Sequence, residues 1–268
     1  MDFGLILSLL LLGALTGFFA GLLGIGGGML LVPFITLLLS VSGFSEHLVV
    51  HMAIATSLAT IMFTSISSVR AHHKRGAVQW RIVRLLVPGI LLGSWLGPWL
   101  GKQMNSAALA AFFGVFVLVS ATQMLLNKKP PASRNLPQSA GMFGAGGVIG
   151  VLSGLVGAGG GFISVPFMTW CNVKIHQAVA TSAALGFPIA LAGTLSNIYY
   201  GSGVEGLPPG SLGFIYLPAL LVIAIASVAT APLGARTAHR LPVKTLRKIF
   251  SWMLYLLAGY MLWKAFRY

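Results

Sequence analysis

Apolar residues in this chain fall into long, nearly charge-free runs, and the runs form two corresponding sets of five. The first set is Phe3–Leu23, Gly27–Leu39, Leu48–Ser68, Ile82–Leu100 and Ala107–Leu126. The second is Gly141–Val156, Gly160–Trp170, Val179–Tyr200, Leu212–Leu233 and Ile249–Leu262. Most approach the ~20 residues that a helix needs to cross a bilayer. Gly27–Leu39 and Gly160–Trp170 are short for that task. Between the sets, residues 128–139 are polar and too rich in proline to be helical throughout. They predict a cytoplasmic linker between a first transmembrane repeat, 1–127, and a second, 140–268.

Both short segments follow a glycine-rich break. GFFAGLLGIGGGMLLVPF (Gly17–Phe34) and GVLSGLVGAGGGFISVPF (Gly150–Phe167) stand 133 residues apart and share their glycines and the closing Val-Pro-Phe. Apolar helices interrupted at corresponding places in two halves point to the substrate site of a transporter. Irregular backbone is tolerated at membrane depth only where it is packed in protein or lines a cavity. Each break is either the tip of a re-entrant hairpin or a gap between two tilted spans.

The chemistry of the breaks follows from the glycines. Gly26, Gly27 and Gly28, and their counterparts Gly159, Gly160 and Gly161, permit positive φ and expose backbone N–H groups. A helix starting directly afterwards aims its free amides and positive dipole end at the gap. Two such gaps meeting near the midplane would hold a small anion without a buried cation. The four-residue spacings Gly17–Gly21 and Gly150–Gly154 instead read as close helix packing. Side-chain donors come from the next helix in each half, where Ala-Thr-Ser recurs. Thr56, Ser57, Thr181 and Ser182 offer hydroxyls either to an anion or to neighbouring backbone. Thr60, Thr64 and Ser67 extend the first stripe, and Thr194, Ser196 and Asn197 the second.

Composition agrees with a membrane protein: 57% hydrophobic, 7% charged, with a mean hydropathy of +0.91. The net charge of +14 would suggest nucleic acid, but 14 of the 17 Lys and Arg residues sit in four short loops. Those loops surround Arg70–Arg84, Lys128–Arg134, Lys174 and Arg236–Lys248. Placed on the cytoplasmic side they satisfy the positive-inside rule, leaving Lys102, Lys264 and Arg267 with the three acids, Asp2, Glu46 and Glu205, on the other. Basic RAHHKRG follows the first Ala-Thr-Ser helix, whereas uncharged-to-acidic GSGVEGLPPG follows the second. Equivalent loops therefore face opposite sides. The expected fold is an all-α polytopic membrane protein of two inverted-topology repeats, about five helical segments each, with both termini outside the bacterial cytoplasmic (inner) membrane.

His51 and His176 align, each five residues before its Thr, and are the ionisable groups that a proton-linked carrier would use first. No nucleophile elbow, His-Glu-x-x-His or carboxylate pair is present, so no enzyme, no catalytic residue, no cofactor and no metal site is expected. The expected partners are a small anionic substrate and membrane lipids, not nucleic acid. A homodimer is left open.

The paired glycine motifs with Val-Pro and the following Ala-Thr-Ser helices make the whole chain resemble the TauE/SafE family of sulfite exporters. The resemblance implies movement of sulfite, an organosulfonate or a related small anion by alternating access. An inside-negative potential alone expels anions, by about 2.3 kcal/mol per charge per 100 mV. A passive anion channel, an uptake permease and a structural membrane protein are the alternatives.

Overall fold

The computed structural model describes residues 3–23, 27–126, 135–237 and 243–267. The described chain forms ten helices: α1 (Phe3–Leu23), α2 (Gly28–Val41), α3 (Glu46–His73), α4 (Trp80–Gln103), α5 (Ser106–Leu126), α6 (Ser139–Val156), α7 (Gly161–Trp170), α8 (Ile175–Gly201), α9 (Leu217–Thr237) and α10 (Val243–Arg267). All but α2 and α7 are long and apolar enough to cross a bilayer. At 1.5 Å per residue, those two reach only about 21 and 15 Å, short of a hydrocarbon core of about 30 Å. The protein is an all-α polytopic membrane protein.

The apolar runs locate the helices well, with one displacement. Leu212 does not begin a helix. Ser211–Leu212 (β1) pairs antiparallel with Ile215–Tyr216 (β2), and α9 starts only at Leu217. Gly210 and Gly213, at φ +84° and +56°, turn the chain out of helical geometry there. Phe214 and Ile215 are buried by the hairpin, in a small apolar cluster with Ala55 and Ala59 of α3.

The long helices pack mainly across the two halves. At the centre α3 and α8 run antiparallel and are the most buried. Gly193 of α8 faces Leu58, and Gly186 faces Ser65. Around them, α4 runs parallel to α6 and α1 parallel to α9, while α5 runs antiparallel to α10. Glycines make the two parallel seams. Gly89, Gly93 and Gly97 of α4 sit against Gly146, Gly150 and Gly154 of α6 so closely that a Cβ on Gly93 would overlap the Gly147 carbonyl. In the other seam, Gly13 faces Ile223 and Gly17 faces Ser227. Gly17, Gly150 and Gly154 thus form backbone-to-backbone contacts of the kind four-residue glycine spacing allows. The α4 stripe of the same spacing was equally visible in the sequence.

These directions sort the charges. Glu46 and His51 at the start of α3 meet Lys264 near the end of α10 and Gly101 near the end of α4. At the other end of α3, His73 meets Trp80 at the start of α4. Arg70, Lys74, Arg75, Arg81 and Arg84 gather at this second end, with Lys174 at the start of α8 and Lys248 near the start of α10. Lys128, Lys129, Arg134 and Arg240 lie outside the described residues.

The seam makes a stability prediction. Gly93→Val should force α4 and α6 apart, costing about 1–3 kcal/mol as an overpacked core does, and should lower the detergent melting temperature by several degrees. Gly144→Ala, on the same helix as the seam but with open space at its Cβ position, should melt as the parent does.

Candidate functional site

Each helix break is built on glycines in the left-handed region. Gly27, at φ +68°, stands before α2, and Gly160, at φ +75°, stands before α7. Gly157, at φ +68°, ends α6. Side chains other than glycine rarely adopt such backbone. Gly26 lies outside the described residues, as do Gly24 and Ile25. The Gly27 carbonyl accepts from the N–H groups of Leu30 and Leu31, and the Gly160 carbonyl from those of Ile163 and Ser164, at 2.9–3.2 Å. The N–H groups of Gly28 and Met29, and of Gly161 and Phe162, then have no acceptor within their own helices. Pro33 and Pro166 lie just beyond the first turn of α2 and α7. Lacking an N–H, they leave the Met29 and Phe162 carbonyls without their usual helical donor.

The two breaks touch. A Cβ on Gly28 would stand 2.9 Å from the Cα of Ala158 and 2.8 Å from Cδ1 of Ile61, and would overlap the Gly157 carbonyl. Both breaks lie beside the middle of α3, Gly28 at Ile61 and Gly157 at Ile54. Ser57 donates its hydroxyl to the Gly157 carbonyl at 2.8 Å, so the first half's helix holds the second half's break. On the other side, Gly159 aims its carbonyl towards Gly186 of α8. Gly28, Gly159, Gly160 and Gly161 are all buried.

The four Ala-Thr-Ser hydroxyls are divided among different tasks. Thr56 accepts the N–H of Tyr216 at 3.1 Å, and Thr181 accepts the N–H of Gln79 at 3.0 Å. Tyr216 and Gln79 immediately precede α9 and α4, so each Thr anchors the entry to a helix of the opposite half. Ser182 accepts from Ser164 of α7 at 2.7 Å. Of these four, only Ser57 bonds directly to a break. Further along the stripes, Thr60 and Thr64 bond to carbonyls of their own helix, Asn197 donates to Gly193, and Ser196 donates across to Trp95. Thr194 is buried without a hydrogen-bond partner.

The aligned histidines have unlike surroundings. His176 is exposed near the start of α8. His51 is partly buried, with Nε2 at 3.0 Å from the Gly101 carbonyl, which makes Nε2 the protonated donor in the neutral ring. Its Nδ1 is buried and unpartnered, and the ring lies 5.5 Å from that of Phe214. His51, Gly97, Gly101, Gly154, Leu155 and Asn197 line a narrow cavity between the α3 start and the second break. The ion pair Lys264–Glu46, at 2.7 Å with Ser40 of α2 also on the lysine, is a feature that charge counting by loops missed. Lys264 is the buried charged side chain among the described residues.

Comparison with known proteins places this arrangement among transporters. A family model described as sulfite exporter TauE/SafE matches residues 9–261. A probable membrane transporter protein of Haemophilus influenzae is 40% identical over 96% of this chain and 97% of its own length. One from Methanocaldococcus jannaschii is 28% identical over 97% of each, and YunE of Bacillus subtilis, also a probable membrane transporter protein, is 30% identical over 72% of this chain and 78% of its own. No solved structure matches.

The crossed anchors can be tested directly. Thr56→Val keeps the shape but strands the buried Tyr216 N–H, at about 1–3 kcal/mol for a lost partner. Thermal unfolding in nanodiscs should show a clear drop for Thr56→Val and a smaller one for Thr56→Ser.

Proposed function

The chain belongs to the TauE/SafE sulfite exporter family, and on that premise we propose that this membrane transporter exports sulfite, an organosulfonate or a related small oxyanion by alternating access. One observation carries the reading: the two breaks, each opening onto the amide end of a helix, touch at Gly28 and Gly157–Ala158, where the described residues place no cation. Amide dipoles attract an anion without the desolvation cost of a buried Lys or Arg. The substrate site is assigned to Gly26, Gly27, Gly28, Gly159, Gly160 and Gly161, with Ser57 holding the second break and Thr56, Thr181 and Ser182 fixing the helices around it.

The inverted relation of the two repeats is part of the proposal. Its support is that equivalent helices run oppositely, α3 against α8, and that the partner pairs α4–α6 and α1–α9 exchange when the halves are exchanged. In this reading residues 1–127 and 140–268 are the repeats, joined by the linker 128–139. The basic end faces the cytoplasm of a bacterial inner membrane and touches anionic headgroups, and both chain termini face outward. Transport then needs no cofactor and no nucleic-acid partner, and transport rather than catalysis is the assigned activity. The membrane potential drives expulsion of an anion. If a proton is linked to it, His51 is the favoured carrier, because its Nδ1 is a buried, unpartnered acceptor and its side chain lines a cavity, while His176 is exposed.

Two measurements test this reading. In a Cys171→Ser background, Glu205→Cys should react with an impermeant thiol reagent applied outside intact cells, and Lys74→Cys only after lysis. Labelling of both from outside would sink the topology. In proteoliposomes, Gly27→Val and Gly160→Val should each abolish counterflow of sulfite or small sulfonates while protein still inserts. Valine resists positive φ at both places, and at Gly160 its Cβ would meet Cδ1 of Ile189 at 2.5 Å. Normal counterflow by both well-folded variants would place the site elsewhere.

A further inference from the structure

The two breaks are matched in backbone but not in side chains. Seven residues before each N-terminal glycine, the second half has Ser153 where the first has Ala20. The backbone brings both to the same place. A Cβ on Gly27 would lie 3.3 Å from Cβ of Ala20, and one on Gly160 would lie 3.2 Å from Oγ of Ser153. The second break therefore carries a hydroxyl that the first lacks.

That hydroxyl is unspent. Ser153 is 1% exposed, and its Oγ has no hydrogen-bond partner. Hydroxyls within helices usually bond to the carbonyl one turn earlier, as Thr16, Thr60, Ser120 and Thr122 do here. Ser153 does not, although its own carbonyl accepts the N–H groups of Gly157 and Ala158 as α6 ends. A buried hydroxyl without a partner costs free energy unless something supplies an acceptor. Directly across from it, Gly160 opens α7, whose Gly161 and Phe162 amides also lack intrahelical acceptors. Ser153 Oγ beside Gly160 and the two amides that follow Gly160 are thus three donors at one break, none with an acceptor given by its own helix.

We propose that Ser153 is a substrate-binding residue, donating its hydroxyl to one oxygen of a small sulfur oxyanion whose other oxygens face the first-turn amides of α7. This rests on the oxyanion reading above and deepens it. The second break grips the anion, while the first, with Ala20, contributes backbone and space. The site is consequently lopsided within a near-symmetric frame. A bound sulfite or sulfonate offers several acceptors set around one centre, which suits a hydroxyl and two amides from different directions. A chloride ion would meet the same dipoles without that divergent geometry.

The test uses purified full-length protein in nanodiscs, with sulfite and methanesulfonate as probes and chloride as the comparison anion. Binding is read as the shift in melting temperature over a concentration series. Ser153→Ala should weaken sulfite and methanesulfonate about tenfold or more, as loss of a hydrogen bond to a charged group does, while changing any chloride response little. Without anion, the same variant should melt at or above the parent temperature, because an unpartnered buried hydroxyl has been removed. A hydroxyl with a merely structural role would give the opposite pair of results, lower stability and unchanged affinity, and that would overturn the proposal. Wild-type protein that binds neither oxyanion would overturn the oxyanion reading itself. Oxyanion binding by the parent that Ser153→Ala retains in full would overturn only the assignment of Ser153.

Discussion

A helix broken inside a membrane leaves backbone N–H and C=O groups where no water can reach them, and this bundle is organised around meeting that demand. Each unpaired group in hydrocarbon costs several kcal/mol. The breaks at Gly27 and Gly160 are accordingly pressed against each other and against the middle of α3. Ser57 of the first half supplies the donor for Gly157 of the second. The remaining amides at the starts of α2 and α7 are the groups for which the helices themselves provide no acceptor, and the proposed anion would supply one.

The same dependence runs through the rest of the packing. Thr56 and Thr181 anchor the entries to α9 and α4, each across the boundary between halves. The glycine seams join α4 to α6 and α1 to α9, again across that boundary. Thr230 donates to the Ala14 carbonyl in one seam, and Ser94 to the Gly150 carbonyl in the other. Lipid offers no hydrophobic drive for helices to associate, so close backbone approach and such hydrogen bonds hold the assembly. The first and second halves of the chain are thus interlocked through helices of both.

Departures from symmetry gather on one end and at one break. The hairpin at 211–216 folds over the start of α3 and brings Phe214 to His51, whereas the corresponding connection between α3 and α4 is a short turn. Lys264, Glu46 and Ser40 tie α10, α3 and α2 together at that same end. At the breaks, Ser153 lies beside Gly160 where Ala20 lies beside Gly27.

Much of this was legible in the chain itself. Long continuous apolar runs determine helices of membrane-spanning length because a single segment in lipid can pair all its backbone polar groups within itself only as a helix. The repeated GGG-x₃-Val-Pro pattern determined two breaks, because three successive glycines neither stabilise a helix nor resist positive φ. Loop charge sorted the ends of the bundle, since Lys and Arg cannot stay within hydrocarbon unpaired. Contacts between residues a hundred or more positions apart were not legible. No local pattern tells that Thr56 receives Tyr216 rather than an anion, or that His51 is enclosed while its aligned partner His176 is exposed. Nor does any local pattern mark Ser153 as unpartnered, because a hydroxyl's role depends on which acceptors surround it, and only the tertiary structure decides that.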